Sequence, residues 1–279
     1  MRVLGLDLEG MNVDIKKGVQ VNVDRITEIG AVLWDWDQKA PLEMLSKLVA
    51  EPDCPHITED NTRITGITNE MVAEFGANPS VVADELANLM EKADCIMAHN
   101  GGSFIRPTDG YDYQMLMAFY SRYGKVMPNK VWIDTLTDLE FPEEILTHTK
   151  GGKSMLVLEH AHGFINPFPH RAVTDVLAML KIASRYDINR MALLAQSPVV
   201  ELVWSRPYPG YRASPKEKIA FEEGKEFAKS NGFRWNPDNK EWVLKAKQVL
   251  LNEGLRESLG GFDYTIRGGV ATADDECAF

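Results

Sequence analysis

The chain has 279 residues, 44% of them hydrophobic and 25% charged, with 30 basic against 41 acidic side chains and a formal net charge of −11. That balance describes a globular protein with a sizeable core and excludes a chain that is disordered throughout. No apolar run reaches the roughly 18 residues of a membrane span, and three scattered cysteines (Cys54, Cys95, Cys277) with no CxxC pair exclude a zinc ribbon or a disulfide framework.

Arg2–Leu8 is a short apolar strand, and Asp7 and Glu9 break the run before a signal-peptide core could form. A reducing, cytoplasmic setting is therefore expected. Ile26–Trp36 is β-branched and aromatic-rich, and with Leu42–Val49 it completes an opening meander. Pro79–Lys92 carries apolar residues at helical spacing behind an N-terminal proline. Asp94–His99 is short and apolar, as a buried central strand is. A helix over Tyr111–Tyr123, a strand over Val131–Ile133 and a strongly periodic helix over Arg171–Tyr186 follow. Strands first, then strands alternating with helices, predict a mixed α/β sheet. Prolines 198, 207, 209 and 215 then mark a connector. Pro215–Asn231 is a charged amphipathic helix, Phe233–Trp235 and Glu241–Leu244 flank a hairpin turn at Asn236–Asn239, and a last helix spans about Ala246–Leu259.

Residues 1–197 carry a net −10, residues 198–270 a net +2 and the last nine residues −3. An acidic main body excludes a protein that holds nucleic acid by bulk attraction alone. It permits an enzyme in which cations bridge carboxylates to phosphate.

The chemistry-bearing residues lie at the ends of the expected strands and helices. Asp7 and Glu9 are two apart on a strand, so both carboxylates project from one face. Such a pair also describes a solvated strand edge; its otherwise apolar strand favours a site for hard cations. His99 and Asn100 end the central strand, and Asp112 opens the next helix, where a carboxylate also serves as a cap or dipole partner. Asp175 lies in an apolar helix, where a carboxylate needs a partner or a metal. His170 precedes that helix behind Pro169. His56, His148, His160 and His162 have no spacing of a second site and are read as structural or surface residues.

In this order, D-x-E, then His-Asn with a downstream aromatic–Asp, then H-x4-D resemble the DEDDh family of 3′→5′ exonucleases. That family includes the proofreading subunit of bacterial replicative polymerases, ribonuclease T and oligoribonuclease. The resemblance runs from Arg2 to about Tyr186 and takes in RITEIGAV, ITGITNEMV, WIDTL and KSMLVLEHAHGFINPFPHRAVTDVLAML. Position 171 is Arg, so the histidine subfamily is matched and not its Y-x3-D sister. Two departures stand out. Gly10–Met11–Asn12 replaces the usual T-T-G or T-S-G, and Gly101–Gly110 intervenes before Tyr111–Asp112. Asp109 and Asp112 are thus rival third carboxylates, with Asp112 preferred because aromatic–Asp followed by Leu116 fits the family motif.

The resemblance implies a phage or bacterial enzyme with two divalent ions, Mg²⁺ or Mn²⁺. Asp7 would bridge the ions, Glu9 and Asp175 would complete one ion's site and Asp112 would serve the other. His170 would be the general base, histidine being the side chain that titrates nearest working pH. Met11 would pack on the terminal base, and His99 and Asn100 would line the nucleotide pocket. The implied substrate is the 3′ end of a nucleic acid, single-stranded DNA foremost, with a replication or repair protein as a possible partner and no membrane. An RNA-processing exoribonuclease and a non-catalytic polymerase-associated subunit remain as other functions.

The expected architecture is α/β: an RNase H-like mixed five-stranded sheet flanked by helices over 1–190 and a proline-rich connector over 191–214. A small α+β accessory domain over 215–267 and a disordered tail over 268–279 complete it. In the accessory domain GFRWNPDNKEWV sets Trp235, Trp242 and Phe233 beside Arg234, Lys240, Lys245 and Lys247. That pattern fits either base stacking or a small core under a solvated face.

Overall fold

The computed structural model describes residues 1–14, 17–102 and 110–268. The chain forms two compact units, Met1–Gln196 and Ser197–Phe279.

In the first unit β1 (Arg2–Met11), β2 (Arg25–Asp35) and β3 (Ala40–Leu48) form an antiparallel meander. Three helices follow, α1 (Glu59–Thr65), α2 (Asn69–Phe75) and α3 (Pro79–Lys92). Then β4 (Cys95–Ala98) joins parallel to β1, α4 (Asp112–Arg122) crosses over, and β5 (Val131–Asp134) joins parallel to β4. The sheet order is β3-β2-β1-β4-β5, the mixed five-stranded RNase H-like sheet expected from the sequence. The unit closes with α5 (Glu143–His148), α6 (Met155–Ala161), α7 (Ala172–Ala183) and α8 (Ile188–Gln196).

Helices cover both faces, which is why β2 is buried along nearly its whole length. Leu4, Leu6 and Leu8 of β1 pack with Leu86 and Met90 of α3 and Met115 and Phe119 of α4. Val3 packs on the opposite side with Val176 and Leu180 of α7 and Met191 of α8. The two-residue period of β1 thus divides two cores. Asp7 and Glu9 continue the Val3 side, towards α7.

The second unit is a four-stranded sheet ordered β7-β8-β6-β9, from β6 (Val199–Trp204), β7 (Arg234–Asn236), β8 (Glu241–Lys247) and β9 (Thr265–Arg267). Helix α9 (Pro215–Ser230) opens on Ser214, whose hydroxyl accepts the Glu217 amide while Glu217 accepts the Ser214 amide. Val200, Leu202, Trp204, Ala228, Phe233, Leu251 and Leu259 form the core.

The stretch 191–214, expected as a connector, therefore differs from expectation: it holds the end of α8 and all of β6, leaving 205–214 without helix or strand. The expected Ala246–Leu259 helix is also divided. Its first residues finish β8, and Gly254 (φ 116°) breaks the helical stretch formed by α10 (Gln248–Leu250), a wider turn (Leu251–Leu255) and α11 (Arg256–Ser258). Residues 269–279 lie outside the described residues, as does Cys277. Among the described residues no helix is long and apolar enough to cross a membrane.

Candidate active site

Across the antiparallel ladder Asp7 pairs with Gly30 and Glu9 with Glu28. Both partners decide where α7 lies. A Cβ on Gly30 would collide with the backbone of Ala172 and Val173, and one on Gly5 would stand 2.6 Å from Val176. Glycine at these two positions lets α7 lie against the sheet beside the carboxylates, at its start by Gly30 and further along by Gly5. Glu28, 1% exposed, accepts the Ala172 amide at 3.1 Å and two N–H groups of Arg171 at 2.7 and 3.1 Å. One β2 carboxylate therefore holds both the N-terminus of α7 and the residue before it, where helix polarity favours an anion.

Asp175 sits in the first turn of α7. It accepts the His170 backbone amide at 3.0 Å and the Asn166 side-chain amide at 2.6 Å, and Asn166 in turn donates its backbone amide to buried Glu159 at 3.0 Å. His170 adopts a left-handed backbone (φ 61°), uncommon for a residue with a Cβ. Glu9, His170 and Asp175 each offer a ligand atom, and these atoms lie within 4.8 Å of one another.

Asp112 reaches the cluster from α4. The Tyr111 amide donates to the Asn100 carbonyl at 3.0 Å and the Tyr113 amide to the Gly101 carbonyl at 2.8 Å. A Cβ on Gly110 would collide with the backbone of Gly101 and Gly102. The inserted segment thus leaves and returns at one point, and the aromatic–Asp pair joins the end of β4 directly. Asp112 is 2% exposed, a Leu8 amide reaches its carboxylate, and its Oδ1 is buried with no partner. Asp109 lies outside the described residues. Gly10, at a bulge in β1, leaves room for the Tyr111 hydroxyl, which donates to Asn12 Oδ1 at 3.3 Å.

Burial and neighbouring negative charge oppose ionisation of all four carboxyls. Burial holds Asp7 well above the usual carboxylate range, reinforced by the charges of Asp112, Glu9, Asp175 and Glu28. Burial, then the charges of Asp175, Glu28 and Asp112, push Glu9 to about 8. Burial likewise raises Asp112 to about 7 and Asp175 to about 6. Arg171 eases Glu9 only partly, being bound to Glu28. This is a donor set short of positive charge.

The remaining expected site residues lie at its margins. His99 Nδ1 is 2.9 Å from Thr135 Oγ1, and burial lowers its pKa. Asn100 is exposed, with its amide donating to Asp134 Oδ1 at 2.8 Å. Met11 is buried at the end of β1. His162 is held between the Leu158 carbonyl and the Tyr186 hydroxyl, each at 2.6 Å. Sequence reasoning overlooked Glu28, Asn166 and Glu159. The visible signal for Glu28 was the one acid inside the otherwise mostly apolar strand RITEIGAV; Asn166, in a loop before Pro167, gave none.

The family model described as RNase T, exonuclease, matches residues 4–183. The chain belongs to the RNase T exonuclease family. This exonuclease is similar in fold to exonuclease I of E. coli, solved with a dA16 oligonucleotide: 16% identity and a TM-score of 0.53, over 73% of this chain and 48% of that one. A second exonuclease I structure aligns at 16% identity and a TM-score of 0.52, over 72% and 48%. The nuclease domain of 3′hExo, described as a DEDDh family member bound to rAMP, aligns at 16% and 0.49, over 66% and 90%. The chain thus spans about half the length of exonuclease I. No curated protein matches it in sequence. Exonucleases of this kind depend on divalent metal, and the residues fit one. Asp112 Oδ1 is buried without a partner, and a cation would relieve four crowded carboxyls.

Proposed function

We propose that the exonuclease removes nucleotides from the 3′ end of single-stranded DNA, releasing nucleoside 5′-monophosphates with Mg²⁺ or Mn²⁺ as cofactor. The supporting observation is the convergence of Asp7, Glu9, Asp112 and Asp175, with His170 in reach of Glu9 and Asp175. In this reading Asp7, Glu9, Asp112 and Asp175 hold two divalent ions. Bound there, such ions supply a water of lowered pKa and neutralise charge on the phosphate.

The protein's own groups do the rest. His170 takes a proton from the attacking water, a new bond forms from that oxygen to phosphorus, and the bond to the 3′ oxygen breaks, that oxygen gaining a proton from solvent. Asn166 and the His170 amide fix Asp175, so the base and its neighbouring ligand move together. Asn100 and His99 border the nucleotide pocket at the end of β4.

The test is hydrolysis of 5′-labelled and 3′-labelled DNA and RNA oligonucleotides, single- and double-stranded, with products identified. Stepwise loss of 5′-monophosphates from the 3′ end of single-stranded DNA is expected. Release from the 5′ end, or no cleavage with Mg²⁺ or Mn²⁺, overturns the reading. Preferential cleavage of RNA replaces the substrate.

A further inference from the structure

In the second unit the segment 205–214, Ser-Arg-Pro-Tyr-Pro-Gly-Tyr-Arg-Ala-Ser, runs without helix or strand from β6 to α9. No Asp or Glu occurs between Glu201 and Glu217, whereas Arg206, Arg212 and Lys216 all do. Those three cations are exposed, and none has a carboxylate partner among the described residues. The nearest acid in sequence, Glu217, is engaged with Ser214 in the cap of α9. By contrast, Arg267 of the same unit binds both Glu201 and Glu241, and Lys225 and Lys229 bind Glu222 and Glu226.

Two tyrosines alternate with these cations. Tyr211 is 100% exposed and Tyr208 65% exposed. The fully exposed Tyr211 ring adds nothing to the core, and with the largely exposed Tyr208 it places two aromatic faces at the surface within four residues. Tyr208 is nevertheless fixed. Its ring meets Phe221 edge-on at 5.4 Å, and Phe221 packs on Trp204 at 5.6 Å, tying the arm to the aromatic core. Lys218 donates to the Tyr211 carbonyl at 3.4 Å and lies 5.9 Å from its ring centroid. Pro207 and Pro209 restrict the backbone on either side of Tyr208, so little conformational freedom is left to lose on binding.

We infer that this arm is a second nucleic-acid contact of the exonuclease: Tyr208 and Tyr211 stack on bases of a single strand while Arg206, Arg212 and Lys216 face its phosphates. A polyanion fits three unpaired cations without intervening acids, and unpaired bases fit exposed aromatic faces, which a duplex would not offer. Acidic protein surfaces would satisfy the cations but leave the rings unused. The unit's +2 balance against −10 for residues 1–197 points the same way. The inference rests on the exonuclease reading for its choice of ligand.

The experiment uses the full chain carrying Asp7→Asn, with a fluorescein-labelled thymidine 15-mer followed by anisotropy at several salt concentrations. Tyr211→Ala is expected to weaken binding roughly five- to a hundredfold, the range for losing one stacked base, with the melting temperature unchanged. Arg206→Ala/Arg212→Ala is expected to flatten the plot of log affinity against log salt by about 1.4, at about 0.7 per lost phosphate contact. Affinity within twofold of the parent for Tyr211→Ala, an unchanged salt slope, or a parent that does not bind the 15-mer overturns the inference. A loss confined to Arg234→Ala/Lys240→Ala/Lys245→Ala moves the site to the sheet and also overturns it. Hydrolysis by the unsubstituted chain, measured separately, tests the exonuclease reading, so the two can fail independently.

Discussion

Gly30 stands opposite Asp7 in the β1–β2 ladder, and a Cβ there would run into the backbone that opens α7. A position without a side chain thus sets how closely Asp175 approaches Asp7. Gly30→Ala is expected to push α7 off the sheet, costing about 1–3 kcal/mol of stability as overpacking does. Hydrolysis should fall at least tenfold and divalent-ion affinity should weaken in parallel, because a ligand has moved. Calorimetric melting and Mn²⁺ titration check this; parent-like turnover with a lowered melting temperature would show that α7 placement is irrelevant to the site.

Asp7→Ala and Asp175→Ala should each abolish hydrolysis while leaving the fold intact. Burial and the charges of Asp112, Glu9 and Asp175 oppose ionisation of Asp7, so metal-free thermal stability should hold or rise for Asp7→Ala. The gain should be smaller for Asp175→Ala, which also strands the Asn166 amide. Full activity of either protein at saturating Mg²⁺ sinks the assignment.

Much of this was legible in the sequence because it is local. A short apolar run marked β1, β-branched and aromatic residues marked β2, periodicity and a proline marked α3 at Pro79–Lys92, and the motif residues sit at element ends. Strand β6 was hidden because its apolar run Val199–Trp204 is embedded between prolines at 198 and 207, which read as punctuation. The approach of the two residues that flank the inserted segment was equally invisible. That Gly101 and Gly110 meet is a pairing of two loop ends, and no periodic signal encodes it. Asn166 and Glu159 reach Asp175 through tertiary packing alone.

The Glu28–Arg171 pair joins β2 to the start of α7 across the site. Arg171→Ala leaves a buried carboxylate with only the Ala172 amide, whereas Glu28→Gln keeps an acceptor without the charge. A double-mutant cycle is expected to give a coupling of about 1.5–3 kcal/mol, that of hydrogen bonds to a charged group. Additive losses would mean that the pair contributes nothing jointly.

Without metal, stability should depend on pH in the direction set by the raised carboxyls. Glu9, Asp112 and Asp175 titrate at about 8, 7 and 6 in the fold, above their ordinary values near 4. The folded protein therefore binds protons more tightly than the unfolded chain, and this contribution is full below about pH 4 and lost as pH rises through 6 to 8. The melting temperature in EDTA should fall over that window. Millimolar Mg²⁺ should offset the fall, since an ion that binds only the folded state stabilises it. The Asp7→Asn/Asp112→Asn protein should show a shallower fall; an identical slope would remove the carboxyl cluster as its cause.

His170 unites a strained backbone with the proposed base. Its amide donates to Asp175 while its φ of 61° is one that Asn and Gly adopt more readily than Ala. His170→Asn therefore removes the imidazole with the turn preserved, whereas His170→Ala also strains the turn and should melt lower. Turnover of His170→Asn should drop roughly 10²- to 10⁴-fold, the usual worth of a positioned general base. Because Glu9, His170 and Asp175 lie within 4.8 Å of one another, the imidazole has a rival role as a third ligand. Titration calorimetry with Mn²⁺ separates the two: a base predicts nearly unchanged affinity and stoichiometry, a ligand a lost or weakened site. Added imidazole offers a second discriminator, since it should restore part of the rate of His170→Gly, with the rescue growing as the free imidazole becomes neutral. A His170→Asn protein that binds one fewer ion, and whose glycine counterpart ignores imidazole, would assign His170 to the metal and leave the base to be found elsewhere.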